Sequence, residues 1–362
     1  MTAALTARSP ASLFAATRGL LPGLVLCGLL AAAGSQLARV PVLAQHGLSA
    51  LTLALILGMV VGNLWPTDTA AACEPGVGFS KQRLLRLGVV LYGLRLTVQD
   101  IGHVGWTGVL IDGVVVCSTF ALACWIGIRW LGLDRRTAML IGIGSSICGA
   151  AAVIAAEPVV KGRPDQVTVA VATVVVFGTL ATFLYPLLFV AAAHGWPFPA
   201  DSAHFGLYVG STIHEVAQVI AAARSVDPTA ADTAVIAKMV RVMMLAPFLL
   251  ALSTVGNFER DDSAPRSAAG QRRSVTIPWF AVAFIALVLF NSLHWLGARV
   301  VASLIDIDTV LLAMAMAALG LATRVRAVRQ AGSRPLLLAL ALFAWLVVGG
   351  AVVNAWVPRL LG

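Results

Sequence analysis

The chain has 362 residues, of which 59% are apolar and only 11% charged, with a mean hydropathy of +0.92. These values exclude a water-soluble domain, because too few polar groups remain to cover a folded surface. The net charge of +9 would suit nucleic acid or acidic lipid, but the cations occupy hydrophilic breaks between apolar runs, the pattern that reports membrane orientation.

In chain order, Arg8 and Arg18 precede a first apolar run that reads as an uncleaved helix rather than a signal peptide, since many further runs follow. Apolar segments lie near residues 20–38, 47–65, 84–100, 104–130, 137–157, 167–193, 204–223, 232–256, 277–297, 309–323 and 335–357. Most approach the roughly 20 residues that cross a hydrocarbon core. The sequence therefore predicts an all-α polytopic membrane protein of about nine to eleven segments, with a tail over 1–19 and a single transmembrane domain over 20–362.

Lys81, Arg83 and Arg86, then Arg129, Arg135 and Arg136, then Arg260, Arg266, Arg272 and Arg273, then Arg324, Arg326, Arg329 and Arg334 mark the cytoplasmic breaks. The N-terminal tail falls on the same side of the inner membrane. The connections around Gly102–His103, His194–His204 and Asp306–Asp308 carry no Lys or Arg and read as periplasmic or very short. Asn257–Ser274, rich in Ser, Ala and Arg, reads as a flexible cytoplasmic loop within 257–276.

An internal repeat carries the functional signal. Residues 144–156 read GSSICGAAAVIAA and residues 210–222 read GSTIHEVAQVIAA, identical at eight of thirteen positions without a gap. Duplicated units with interrupted helices at matching positions are a common construction of secondary transporters. The related segments 137–193 and 204–256 can be arranged in two ways. If each Gly-Ser segment crosses the membrane, the loop with Lys161 and Arg163 falls outside; if each is re-entrant, that loop returns to the cytoplasm and the units are inverted.

Ionisable groups inside an apolar run are site candidates by default. Ser211, His214, Glu215, Gln218 and Ala222 would share one face of a continuous helix. Lys238 and Arg241, three residues apart in the next segment, add two cations on one face. A buried Glu215 is expected to pair with one of them, and two cations against one carboxylate leave a positive surplus suited to an anion. In the first unit Gly144, Ser145 and Ser146 stand where a helix could break; amides freed at a half-helix start, with the hydroxyls of Ser145, Ser146, Ser211 and Thr212, would form an anion cradle. The bland alternatives are interhelical hydrogen bonding and close packing of small residues. Asp112 lies in a long segment at a depth the sequence leaves open.

An enzymatic reading fails on the residues: His214-Glu215-Val216-Ala217-Gln218 begins like the metalloprotease pattern HExxH but places Gln218 where the second imidazole belongs. The five cysteines show no metal spacing and read as small apolar residues. Neither a metal nor a cofactor is expected. The expected partners are a small anion and the bilayer, with no nucleic acid, and two copies of the chain could pair.

The strings GIGSSICGAAAVIAAEPVVK, VFGTLATFLYPLL and STIHEVAQVIAAA, together with Arg83–Gly88, LTVQDI, KMVRVMMLAP, IPWF and MAMAALGL, resemble the YeiH-like bacterial membrane proteins, a family labelled as sulfate exporters. The resemblance covers nearly the whole chain from Leu20. It implies the architecture of the cation/proton antiporter and anion transporter clan, with two repeats, crossing interrupted helices and alternating access. Relatives commonly read TSICGASA where this chain has Ser145–Ala152, with one hydroxyl replaced by alanine, so the first cradle would coordinate fewer oxygens. Export of a sulfate dianion needs no ion coupling, since each charge leaving a negative-inside cell gains about 2.3 kcal/mol per 100 mV. The alternative implied by the clan is a proton- or sodium-coupled carrier of an organic anion, or a cation/proton antiporter.

Overall fold

The computed structural model describes residues 10–40, 49–64, 67–193, 201–255, 279–324 and 331–361, all helical or in short connections, with no strand among them. The helices are α1 (Pro10–Leu37), α2 (Ala50–Leu64), α3 (Thr67–Phe79), α4 (Leu85–Tyr92), α5 (Val98–Trp125), α6 (Arg135–Ser146), α7 (Ala150–Val160), α8 (Pro164–Ala193), α9 (Ser202–Thr212), α10 (Val216–Arg224), α11 (Pro228–Met243), α12 (Leu245–Val255), α13 (Trp279–Ser292), α14 (Ala298–Ala322), α15 (Ser333–Ala344) and α16 (Gly350–Leu361). Among the described residues, six helical stretches are long and apolar enough to span a bilayer. The chain is an all-α polytopic membrane protein.

Where the sequence reads as one transmembrane domain, contacts within the chain group it into two compact units, Met1–Leu91 with Ala298–Arg324, and Tyr92–Gly297 with Val325–Gly362. The first unit is held by close helix crossings. A Cβ on Gly58 of α2 would collide with the Ala317 carbonyl of α14, and one on Gly320 with the Leu55 carbonyl. Removing both side chains lets the backbones touch, which is how helices gain packing energy without help from water.

The second unit holds the repeat, and both of its interrupted segments are re-entrant hairpins. Asp134 caps α6, accepting from the Arg136 and Thr137 N–H groups at 3.0 and 3.3 Å, and also accepts from Gln166 Nε2 at 2.7 Å. Gln166 lies just beyond α7, so α6 enters and α7 returns on one face. The second hairpin repeats the device. Asp201 caps α9 through the His204 N–H at 3.0 Å, and Ser202 Oγ donates to Asp227, which caps α11 through the Ala230 N–H at 2.8 Å. The start of α9 therefore meets the end of α10. Asp201 lies outside the spans, and the N–H and ring of His204 hold its carboxyl below the usual range.

The hairpins enter from opposite faces. The 30 residues of α8 extend about 45 Å, beginning beside the first hairpin's ends. Its far end packs on the start of α9, with Phe189 and Phe205 rings 4.9 Å apart. With 12 and 11 residues, α6 and α9 each reach roughly 17 Å, about half a hydrocarbon core of roughly 30 Å.

Of the two arrangements that the sequence left open, segments 137–157 and 204–223 take the re-entrant one. Other sequence expectations change. The segment expected at 84–100 instead ends at Tyr92, and residues 93–97 form a short turn. Asp306–Asp308 is not a connection: it lies inside α14, and Asp308 is buried. The break expected around Gly102–His103 falls at Gly105, where α5 kinks with a φ of +47° and a ψ of −156°, outside the helical range. The first helix starts at Pro10 rather than near residue 20, and the loop 257–276 lies outside the described residues. Asp306 and Asp308 imitate a hydrophilic break in a hydropathy reading although α14 carries on through them.

Cysteine labelling checks the hairpin geometry. In a background without native cysteines, Arg135→Cys and Arg163→Cys should react from one membrane face, and His204→Cys and Thr229→Cys from the other. Labelling of Arg163→Cys from the His204 face would restore two crossing helices.

Candidate functional site at the hairpin tips

Each hairpin tip sits where the repeat has its Gly-Ser string, but with polarity opposite to that expected. Ser145 and Ser146 end α6, and Ser211 and Thr212 end α9, so the groups exposed there are helix C-terminal carbonyls and not freed amides. Such carbonyls carry partial negative charge and need donors. In the first hairpin the Ile143 and Gly144 carbonyls accept from the Ile147 and Gly149 N–H groups at 3.1 and 3.0 Å. The remaining carbonyls are met from α11: Arg241 Nη2 donates to Ser145 O at 3.3 Å, Arg241 Nε to Ser146 O, and Lys238 Nζ to Ile147 O at 2.7 Å.

The same two side chains serve the second hairpin. Lys238 Nζ donates to Ile213 O at 2.6 Å and Arg241 Nη1 to Ser211 O. Ile147 and Ile213 are equivalent positions of the repeat, as are Ser145 and Ser211. Both cations are 0% exposed. One helix therefore braces two opposed tips through equivalent backbone atoms, with charge-assisted hydrogen bonds of roughly 1.5–3 kcal/mol each.

The amide ends are met by the opposite charge. Glu215 caps α10 in a reciprocal arrangement with Gln218, whose Oε1 accepts from the Glu215 N–H at 3.2 Å. Glu215 Oε1 accepts from the Ala150 N–H at 3.4 Å, at the start of α7. One carboxylate thus faces both helix N-termini, where negative charge is stabilised. Gly149 makes this approach possible. Its φ is +73°, in the left-handed region, and a Cβ there would lie 2.5 Å from Glu215 Cγ. The repeat places Gly149 opposite Glu215 in the alignment, so the first unit supplies the space that the second unit's side chain fills.

Two sequence expectations are corrected here. Glu215 does not pair with Lys238 or Arg241: among the described residues the ion pairs are Arg163–Asp165 and Asp201–His204. Backbone termini compete successfully for all three groups. Nor do Ser211, His214, Glu215 and Gln218 form a stripe on one helix, because α9 stops at Thr212 and α10 starts at Val216. The hydroxyls turn back into their own helices: Ser146 Oγ donates to Ile143 O at 3.3 Å, Ser211 Oγ to Tyr208 O at 3.1 Å, and Thr212 Oγ1 to Tyr208 O. Gly144 packs against Val153 and Val174.

The structure still gathers Ser145, Ser146, Ser211, His214, Glu215, Gln218, Lys238 and Arg241 around the tips, all buried. It adds Asn354 of α16, whose Nδ2 donates to Ser211 Oγ at 3.0 Å. It also adds Asp112 of α5, 0% exposed and within electrostatic range of Arg241 and Lys238. Several buried polar atoms have no hydrogen-bond partner among the described residues, including His214 Nδ1, Gln218 Nε2, Asn354 Oδ1 and both Asp112 carboxyl oxygens. A cavity of about 580 Å³, lined by Asp100, Thr107, His204, Leu207, Asp232 and Ile236 among others, lies at the face where the second hairpin enters. Leu207 and Ile236 precede Ser211 and Lys238 by about a helical turn or less, so the cavity stops just short of the tips.

A family model described as conserved hypothetical protein 698 matches residues 22–339. The chain belongs to this YeiH-like family. A UPF0324 membrane protein of Pseudomonas aeruginosa is 57% identical over 331 residues, covering 91% of this chain and 92% of the relative. The UPF0324 inner membrane protein YeiH of Salmonella typhi is 52% identical over 341 residues, covering 94% and 95%, and that of Escherichia coli K12 is 52% identical over 334 residues, covering 92% and 93%. No solved structure matches this YeiH-like chain.

The bracing predicts stability effects. Lys238→Met removes donors from two buried carbonyls and should cost roughly 1–3 kcal/mol for each, read as a large loss of folded protein in detergent. Gly149→Ala should cost roughly 1–3 kcal/mol through its backbone conformation alone, with the Glu215 collision added. Melting temperatures equal to wild type for both would contradict the assignment.

Proposed function

We propose that this chain is a secondary transporter that exports sulfate or a related small anion by alternating access, with its site at the two hairpin tips. The observation that carries the reading is the placement of Lys238, one buried cation bonded to equivalent carbonyls of hairpins that enter from opposite faces. A site between such tips opens to one face when one hairpin withdraws and to the other when its counterpart does, while the α11 cations stay in place. The charged groups serve binding and helix termination rather than catalysis, and the chain is no enzyme under this reading.

By the positive-inside rule, the Arg135, Arg136 and Arg163 face is cytoplasmic, as is the N-terminus. The first hairpin then enters from the cytoplasm and the second from outside. The inner-membrane naming of the relatives agrees with a bacterial plasma membrane location. The substrate-contacting set in this reading is Gly144, Ser145, Ser146, Ser211, Thr212, His214, Glu215, Gln218, Lys238 and Arg241. Lys238 and Arg241 have N–H groups beyond those bonded to carbonyls, and these are the natural anion contacts. The cavity with Asp100 and Asp232 favours a second reading, a proton- or sodium-coupled carrier of an organic anion or a cation/proton antiporter.

Flux measurements separate the two. Proteoliposomes loaded in turn with labelled sulfate, taurine or sodium should release sulfate, faster when the imposed potential drives anions out, and Arg241→Lys should slow release at least tenfold by removing the planar fork. Sodium or proton flux without sulfate flux would establish the second reading instead.

A further inference from the structure

The anion reading, on which this inference rests, meets an electrostatic difficulty at the tips. The sequence count gave two cations against one carboxylate, but Asp112 makes a second carboxyl group in the buried cluster. With Asp112 ionised the cluster is neutral and an anion gains no net attraction. With Asp112 protonated the surplus of one positive charge returns, and the acid becomes a hydrogen-bond donor.

The surroundings of Asp112 fit a group that changes protonation state. Both carboxyl oxygens are buried and have no hydrogen-bond partner among the described residues, so no hydrogen bond fixes either protonation state, and burial opposes the charge that nearby cations favour. The charged groups acting on it are Arg241 and Lys238 of α11, and neither lies within ion-pair distance among the described residues. α11 also carries Asp232 near its start; of the other helices packed on α5, α6, α15 and α16 carry their charges at their ends, at Arg135, Arg136, Arg334 and Arg359, and α13 carries none. From α9 come His204 near its start and Tyr208, whose hydroxyl donates to Val347 O at 2.7 Å. His214 and Glu215 stand at the second tip. The cavity approaches Asp112 along the same helix: Thr107 lines it and precedes Asp112 by five residues, about 7.5 Å along α5.

We propose that Asp112 takes up a proton when an anion binds at Lys238 and Arg241 and releases it when the anion leaves, so that anion and proton cross together. The step is a single protonation, carboxylate plus proton giving the neutral acid, which then donates to an anion oxygen. It assigns the coupling to α5, outside the repeat, and not to His214 or Glu215. Glu215 is committed to two helix N-termini, where loss of its charge would disturb both hairpins.

Equilibrium binding of labelled sulfate to the purified full chain in nanodiscs tests this between pH 5.5 and 8.5, a range in which sulfate stays a dianion. Wild-type affinity should fall as pH rises, by up to about tenfold per pH unit for one linked proton. Asp112→Asn, permanently neutral, should hold the acid-side affinity across the range, and Asp112→Glu should keep the pH dependence. A flat wild-type profile, or an Asp112→Asn profile as steep as wild type, overturns the proposal while leaving the anion site standing. The wild-type profile and Asp112→Glu decide the matter if Asp112→Asn does not fold. Absence of sulfate binding to wild type at every pH would be a different result, removing the anion reading and this inference with it.

Discussion

A helix that ends inside hydrocarbon leaves carbonyls at one end and amides at the other with no water to satisfy them. Among the described residues, the C-termini of α6 and α9 and the N-termini of α7 and α10 lie buried in this way at the hairpin tips. Lys238 and Arg241 satisfy the carbonyl ends, and Glu215 faces the amide ends. The charges thus complement the helix dipoles instead of one another. Removing any of them would strand backbone groups of both hairpins at once, which ties the α11 cations to the fold as firmly as to any ligand.

Under the proposed transport reading, the α11 cations would both brace the tips and bind substrate. A ligand drawn to Lys238 or Arg241 would then compete with, or add to, the carbonyl contacts that hold the tips together, coupling occupancy and tip position through the same atoms. A site of this kind can shift the balance between conformations only through a difference in its interactions with each. The bonds from one lysine to two opposed tips are the natural place for such a difference.

Much of this was legible in the sequence. The repeat located both interruptions, and the loop cations Lys161 and Arg163 argued for a re-entrant first unit. The residues named at the tips do assemble there. Polarity was not legible, because a Gly-Ser string marks a break without saying whether carbonyls or amides face it. The expected Glu215 pairing failed for the same reason: residue counting matches charged side chains to one another and overlooks helix termini, which act as partial charges. The depth of Asp112 depends on where the straight part of α5 begins, and hydropathy placed that break at Gly102–His103, within a few residues of the kink at Gly105. The division into two units rests on long-range contacts such as Gly58 with Ala317, which carry no local signal.

The central claim is that one lysine ties the two tips together, and an experimentally determined structure of the full chain in lipid nanodiscs, resolved well enough to place the Lys238 ammonium, tests it most directly. The account predicts Nζ within hydrogen-bond distance of both the Ile147 and Ile213 carbonyls, with Glu215 turned to the starts of α7 and α10. Lys238 paired with Glu215 or Asp112, with the Ile147 and Ile213 carbonyls bonded elsewhere, would contradict it.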